Sequence, residues 1–281
     1  MTDKTWRDAA GNLIDKEDRG LVYDFRTLVD RRAALGLFGG IAAATLLAAC
    51  APVATPTTTS APTGSAGGAT VSTGSTEVPD ETAGPYPGDG SNGANVLDDS
   101  GIVPRDIRSS FGSSTTVAQG IPLTIQLTVR DLATGDALAG GAVYLWHCNR
   151  DGQYSLYSNG VEDENYLRGV QELDETGTVV FTSIFPAAYS GRWPHIHFEV
   201  YADVATAVAS GPIVKTSQIA LPKEACAAVY ATAGYEQSVR NLADTSLAAD
   251  MVFGDDGGIY QIASMSGSAE TGYTAALTIA V

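Results

Sequence analysis

Histidine is scarce in this chain, with three in 281 residues. That leaves too few imidazoles for a site built from many of them, and His147, in "YLWHC", has no obvious partner motif. Basic residues are also short, 16 Lys and Arg against 32 Asp and Glu, for a net charge of -16. Residues 1–50 carry seven of each sign, so the whole excess of acid belongs to the remainder, which excludes nucleic acid as a partner. The acidity itself reads first as a solvated surface, with an acidic binding patch as the other reading. No internal repeat is visible, and the one long apolar run, Ala33 to Ala49, is short for a membrane span.

What is present begins with an address. Arg31 and Arg32 precede that Ala, Gly and Leu run, which ends in "LAAC" at Leu47 to Cys50. We expect residues 1–49 to be a signal peptide of twin-arginine type, although Asp30 stands where Ser or Thr is usual. Cys50 is then the lipidated residue of a lipobox, and the protein is an exported lipoprotein at the cell surface or the periplasmic face of the membrane. A retained transmembrane anchor is the alternative, and it leaves the same domain outside. Residues 50–80 are rich in Ala, Pro, Thr, Ser and Gly without hydrophobic periodicity and read as a flexible linker. A single folded domain is expected over 81–281.

Within it, Leu123, Ile125, Leu127 and Val129 alternate with polar residues in "PLTIQLTVRD", the period of a half-buried strand. "AVYLWHC", "GTVVFTSIF", "PHIHFEV", "TSQIAL" and "YTAALTIAV" continue the series between Gly, Asp and Asn turns. The fold class predicted is all-β, an antiparallel β-sandwich with one or two short helices. The clearest helix is "PKEACAAVYA", with Pro222 suited to a first turn and Glu224 near its positive end.

In "PHIHFEV" the strand period puts Ile196, Phe198 and Val200 on one face and His195, His197 and Glu199 on the other. Two imidazoles held on one side of a pleat suit a metal, with polar surface histidines as the alternative. Tyr189 lies six residues before His195, and Tyr154 follows the turn after "WHC". A phenol keeps its proton up to pH ~10, so a tyrosine ligand calls for a hard, highly charged cation such as ferric iron. Tyrosines are more often packing residues, and the same H-x-H pair occurs in zinc enzymes.

The run from "ETAGPYP" at 81–87 through "NVLDDSGIVPRDIR", "GGAVYLWHCNRDGQYSLY" and "YLRGVQELDETGTVVFTSIFPAAYSGRWPHIHFEV" to "TSQIALP" resembles the intradiol ring-cleavage dioxygenases. The combination of W-x5-G-x-Y, a Tyr shortly after a Pro, and R-x-x-H-x-H carries the likeness, closest to the exported single-chain members. Ala187 stands where many of that family have Gly. The resemblance implies Fe(3+) held by Tyr154, Tyr189, His195 and His197, with Tyr189 the phenolate that yields to substrate. It implies that Arg192 stabilises negative charge on the substrate and that Gln218 stands behind the site. The substrates implied are a catechol-type aromatic diol and O2, the product a muconate-type diacid. A non-catalytic binding lipoprotein on the same sandwich is the rival reading. With Cys50 assigned to lipid, Cys148 and Cys226 remain as an even pair in an oxidising compartment, and a disulfide worth about 2–4 kcal/mol is expected between them.

Overall fold

The computed structural model describes residues 76–281. The expected signal peptide, the lipobox at Cys50 and nearly all of the linker lie outside the described residues. Among the described residues no helix is long and apolar enough to cross a membrane.

Among the described residues eight strands form two four-stranded sheets. The first has the order β4 (Thr178–Ile184), β1 (Pro122–Arg130), β8 (Gly272–Ala280), β7 (Ser264–Ser268). The second has the order β3 (Arg168–Glu172), β2 (Ala142–Trp146), β5 (His195–Tyr201), β6 (Ile213–Ala220). Helix α1 (Val204–Val208) follows β5, and α2 (Lys223–Tyr230) and α3 (Glu236–Ala243) follow β6. The alternation in β1 works as the sequence predicts, with Leu123, Ile125, Leu127 and Val129 all buried. They meet Val143 and Leu145 of β2, and Ile196, Phe198 and Val200 of β5, in one core between the sheets. Each such large side chain, fully buried, contributes roughly 1.5–3 kcal/mol.

The sandwich is not wholly antiparallel. β8 inserts between β1 and β7 and runs parallel to β1 from Leu123↔Tyr273 to Arg130↔Ala280. A parallel neighbour needs a long crossover, and here the whole second sheet lies between the two strands in sequence.

The second departure concerns burial. Every residue of β2 and β5 is buried, so the outer face of their sheet is covered too. A second cluster covers it, in which Tyr144 and Trp146 of β2 pack with Tyr86, Val96 and Leu97 of the incoming chain and with Tyr154. The incoming chain is pinned early. Val78 is core, Glu77 bridges to Ala280, and the buried Lys215 Nζ donates to Glu77 at 2.7 Å and Asp80 at 2.9 Å. His195, His197 and Glu199 point into this covered face, and that positions the site.

The disulfide expectation is corrected: Cys148 and Cys226 are both buried thiols. Cys226 is on α2 and donates to the Leu221 carbonyl, while Cys148 donates to the Ala187 carbonyl, each at 3.7 Å. Burial pushes the Cys226 thiol well above its ordinary range, which keeps it protonated and unreactive.

Candidate metal centre

Strand pairing aligns the site before any side chain is considered. His197 lies opposite Trp146 on one side and Gln218 on the other. Trp146 stacks on the His197 ring, centroids 5.0 Å apart and planes within 7°. Gly84 lies against the same imidazole. Its φ is +70°, and a Cβ there would come within 3.3 Å of His197 Cε1, so only glycine lets the incoming chain pass this close.

Tyr154 is placed by a tight turn. The Asn149 side chain accepts from the Asp151 and Gln153 amides, both at 2.9 Å, and the Tyr154 amide donates to Ser158 Oγ at 2.7 Å. Gly152, at φ +85°, makes the turn, and a Cβ on it would stand 3.3 Å from Tyr189 Cβ. The G-x-Y part of the motif is thus the condition for bringing the two tyrosines together.

Tyr189 is held through the backbone before it. Tyr235 Oη donates to Phe185 O at 2.8 Å, Tyr230 Oη to Pro186 O at 3.0 Å, and Asn241 Nδ2 to Ala188 O at 2.8 Å. The Ala188 amide in turn donates to Ser238 Oγ at 3.1 Å. Both longer helices therefore serve to fix the approach to Tyr189.

The four predicted ligands come together. His195 Nε2 is 3.1 Å from His197 Nε2 and 3.1 Å from Tyr189 Oη. The Tyr154 ring stands 6.0 Å from Tyr189 and 6.1 Å from His197, edge-on to both. His195 Nδ1–H donates to Trp193 O at 2.5 Å, which fixes the tautomer and leaves the Nε2 lone pair facing the cluster. Burial first, then the Arg192 charge, pushes His195 well below the usual imidazole range, and burial and the neighbouring His195 do the same to His197. Both rings are neutral near pH 7, the form that binds metals. Burial, reinforced by Tyr189, holds the Tyr154 phenol well above 10.

Whether this set fits a metal is decided by its unmet demands. Tyr154 Oη is buried without a hydrogen-bond partner, and the His195 Nε2 lone pair faces two neighbours. A buried hydroxyl left without a bond costs about 1–3 kcal/mol, and a cation among these donors removes that cost. The residues fit a hard cation. No group of three or more His, Cys, Asp or Glu converges among the described residues, so phenols must complete any such site.

Arg192, itself buried, stands beside the cluster. Its Nε donates to Asp250 Oδ2 at 3.0 Å and its Nη2 to Gln218 Oε1 at 2.7 Å. Gln218 Nε2 then donates to Thr82 O at 2.9 Å, so Gln218 ties Arg192 to the incoming chain. Sequence reasoning missed Asp250, Trp146 and Arg168. Of these only Trp146 carried a signal, as the first residue of W-x5-G-x-Y.

One acid behind the site titrates unusually. Glu81 is pushed up to about 7 by burial and by Asp255 and Asp256, against the hydrogen bond from Gln261 and the Arg192 charge. The folded protein thus holds this proton more tightly than the unfolded chain, whose carboxyl titrates near 4.5, so stability falls as pH rises from about 4.5 to 7. Glu81→Gln should raise the free energy of unfolding at pH 8, by about 1 kcal/mol once solvent screening is allowed for, and leave it unchanged at pH 4. An equal shift at both pH values would contradict this titration.

The described domain is similar to known dioxygenases in sequence and in fold. A dioxygenase family model matches residues 110–200. Chlorocatechol 1,2-dioxygenase of Rhodococcus opacus is 32% identical over 95 residues, 27% of this chain and 37% of that protein, so the match spans little more than a third of the relative's length. The structure of an intradiol ring-cleavage dioxygenase from Tetranychus urticae superposes with a TM-score of 0.55 at 25% identity, covering 65% of this chain and 87% of that one. Catechol 1,2-dioxygenase from Pseudomonas arvilla C-1 is a looser likeness, with a TM-score of 0.45 at 20% identity over 73% of this chain and 62% of that one. With a dioxygenase family match over the segment that carries both tyrosines and both histidines, and a structural match over most of the sandwich, the described domain is similar in sequence and in fold to the intradiol ring-cleavage dioxygenases.

Proposed function

We propose that this protein is a non-haem Fe(III) dioxygenase that inserts both atoms of O2 into a catechol-type diol. The ring is cut between the two hydroxyls to give a muconate-type diacid. The observation that carries the reading is the convergence of two neutral imidazoles and two phenols, one of them with a buried hydroxyl whose hydrogen bonding is unmet. Tyr154, Tyr189, His195 and His197 would hold the iron. Ferric iron, when bound, withdraws the diol's protons and renders the ring reactive toward O2.

The chain's own residues divide the remaining work. Tyr154 is fully buried and packs against the Tyr86 ring, centroids 4.9 Å apart and planes tilted by 31°, so it is the fixed phenol. Tyr189 is only partly buried, which makes it the tyrosine whose phenolate, in the iron-loaded protein, would meet the diol and take up its proton. Arg192 holds positive charge beside the substrate oxygens, and the covered sheet face excludes water. We further propose that residues 1–49 export the protein and that Cys50 anchors it through lipid.

Metal analysis and colour test this reading. The purified protein should carry about one iron per chain, show the visible absorption of ferric phenolate, and consume O2 in step with catechol. A colourless protein holding zinc, or an iron-free native protein that leaves catechol untouched, would overturn it.

A further inference from the structure

Asp250 is among the most enclosed carboxylates in the described domain, its side chain wholly inaccessible to solvent. It follows the 3₁₀ turn Leu247–Ala249, far from the catalytic strand in sequence and outside the segment that matches the family model. Oδ2 accepts from Arg192 Nε at 3.0 Å and from the Trp193 amide at 2.6 Å. Oδ1 accepts from Arg192 Nη2 at 3.3 Å and from the Val252 and Phe253 amides at 2.8 and 3.3 Å. The carboxylate therefore binds one edge of the guanidinium and, on the same oxygens, the backbone on both sides of the contact. Gln218 takes a second direction from Nη2, and Nη1 is the nitrogen that none of these contacts uses.

Such an arrangement does more than neutralise a buried charge. A two-point carboxylate contact fixes the plane of the guanidinium as well as its place. We infer that Asp250 is a positioning residue, whose buried carboxylate orients Arg192 beside the four-donor cluster so that turnover depends on Asp250 through Arg192. This rests on the proposed dioxygenase activity.

A double-mutant cycle read in steady-state kinetics tests it. Asp250→Asn keeps the size of the side chain but turns an N–H donor or a neutral oxygen toward Arg192. It should lower kcat by roughly 10- to 100-fold with KM changed less than about threefold, while iron content and the visible band stay at the parent values. In an Arg192→Gln background, the same Asp250→Asn change should cost less than about twofold, because the group it acts through is gone. A merely structural Asp250 would impose the same cost in both backgrounds, and that result would overturn the inference, as would unchanged kcat in the single variant. If Asp250→Asn yields no soluble protein, Asp250→Glu is read in the same cycle. It keeps the charge and displaces it by one methylene, with the same expectation of loss confined to the Arg192 background. A parent protein that binds iron but consumes no O2 with any catechol would sink the functional reading and this inference with it. An active parent with additive variants sinks only this one.

Discussion

Tyr154→Phe should leave the fold as stable as before, or more so by up to about 1 kcal/mol, while turnover falls by at least about 100-fold. The two effects have one cause. The hydroxyl is buried and makes no hydrogen bond, so removing it relieves an unmet demand. The ring keeps its tilted contact with Tyr86 and its edge contact with His197. In the iron-loaded protein the same oxygen is one of four proposed donors, so its loss should also move the visible band. Thermal unfolding of the metal-free protein and turnover of the loaded one check the two halves. A variant that melts several degrees lower yet keeps its activity and colour would mean that Tyr154 is a packing residue.

Arg168→Ala should be the most destabilising substitution in the neighbourhood of the site, by about 3–5 kcal/mol in urea unfolding. Arg168 is 1% exposed and uses its guanidinium almost entirely on the chain around it. Nε donates to Ser155 Oγ at 3.0 Å and Nη2 to Ser155 O at 3.0 Å. Nη1 donates to Tyr86 O at 2.8 Å and Pro87 O at 3.0 Å. Truncation leaves buried carbonyls without donors and opens a cavity beneath Tyr157, whose ring lies 5.4 Å from the guanidinium carbon. It also unties the incoming chain from the turn that carries Tyr154, so metal affinity should fall with stability. Arg168→Lys, with a single charged nitrogen, should recover only part of the loss. A cost below about 1 kcal/mol for the alanine variant would show that the carbonyls find water instead.

The residues that showed themselves in the sequence are those governed by local rules. The period-two pattern of β1, the face shared by His195 and His197, and the Pro222 start of α2 depend on neighbours a few positions away. The pairing of Tyr154 with Tyr189 came from resemblance to a family, because nothing local distinguishes them from the other tyrosines. Asp250 and Arg168 act across long stretches of chain and carry no periodic signal. The parallel place of β8 escaped for the same reason, since its alternation fits either direction. The cysteines misled because an even count says nothing of where each thiol points, and here each meets a backbone carbonyl, Cys148 that of Ala187 and Cys226 that of Leu221.

The covered face also bears on the order in which the protein is assembled. All four proposed donors lie between Tyr154 and His197, whereas the wall over them comes from the opposite end of the domain. Gln218 reaches Thr82 across 136 residues, and Lys215 reaches Glu77 across 138. Closing a loop of that size costs about 1 kcal/mol more in chain entropy than the shorter loop that brings Tyr154 to His197. Contacts so distant in sequence also form slowly. The nascent domain should thus gather its donors while they are still open to solvent, and the segment carrying Gly84 closes over them afterwards.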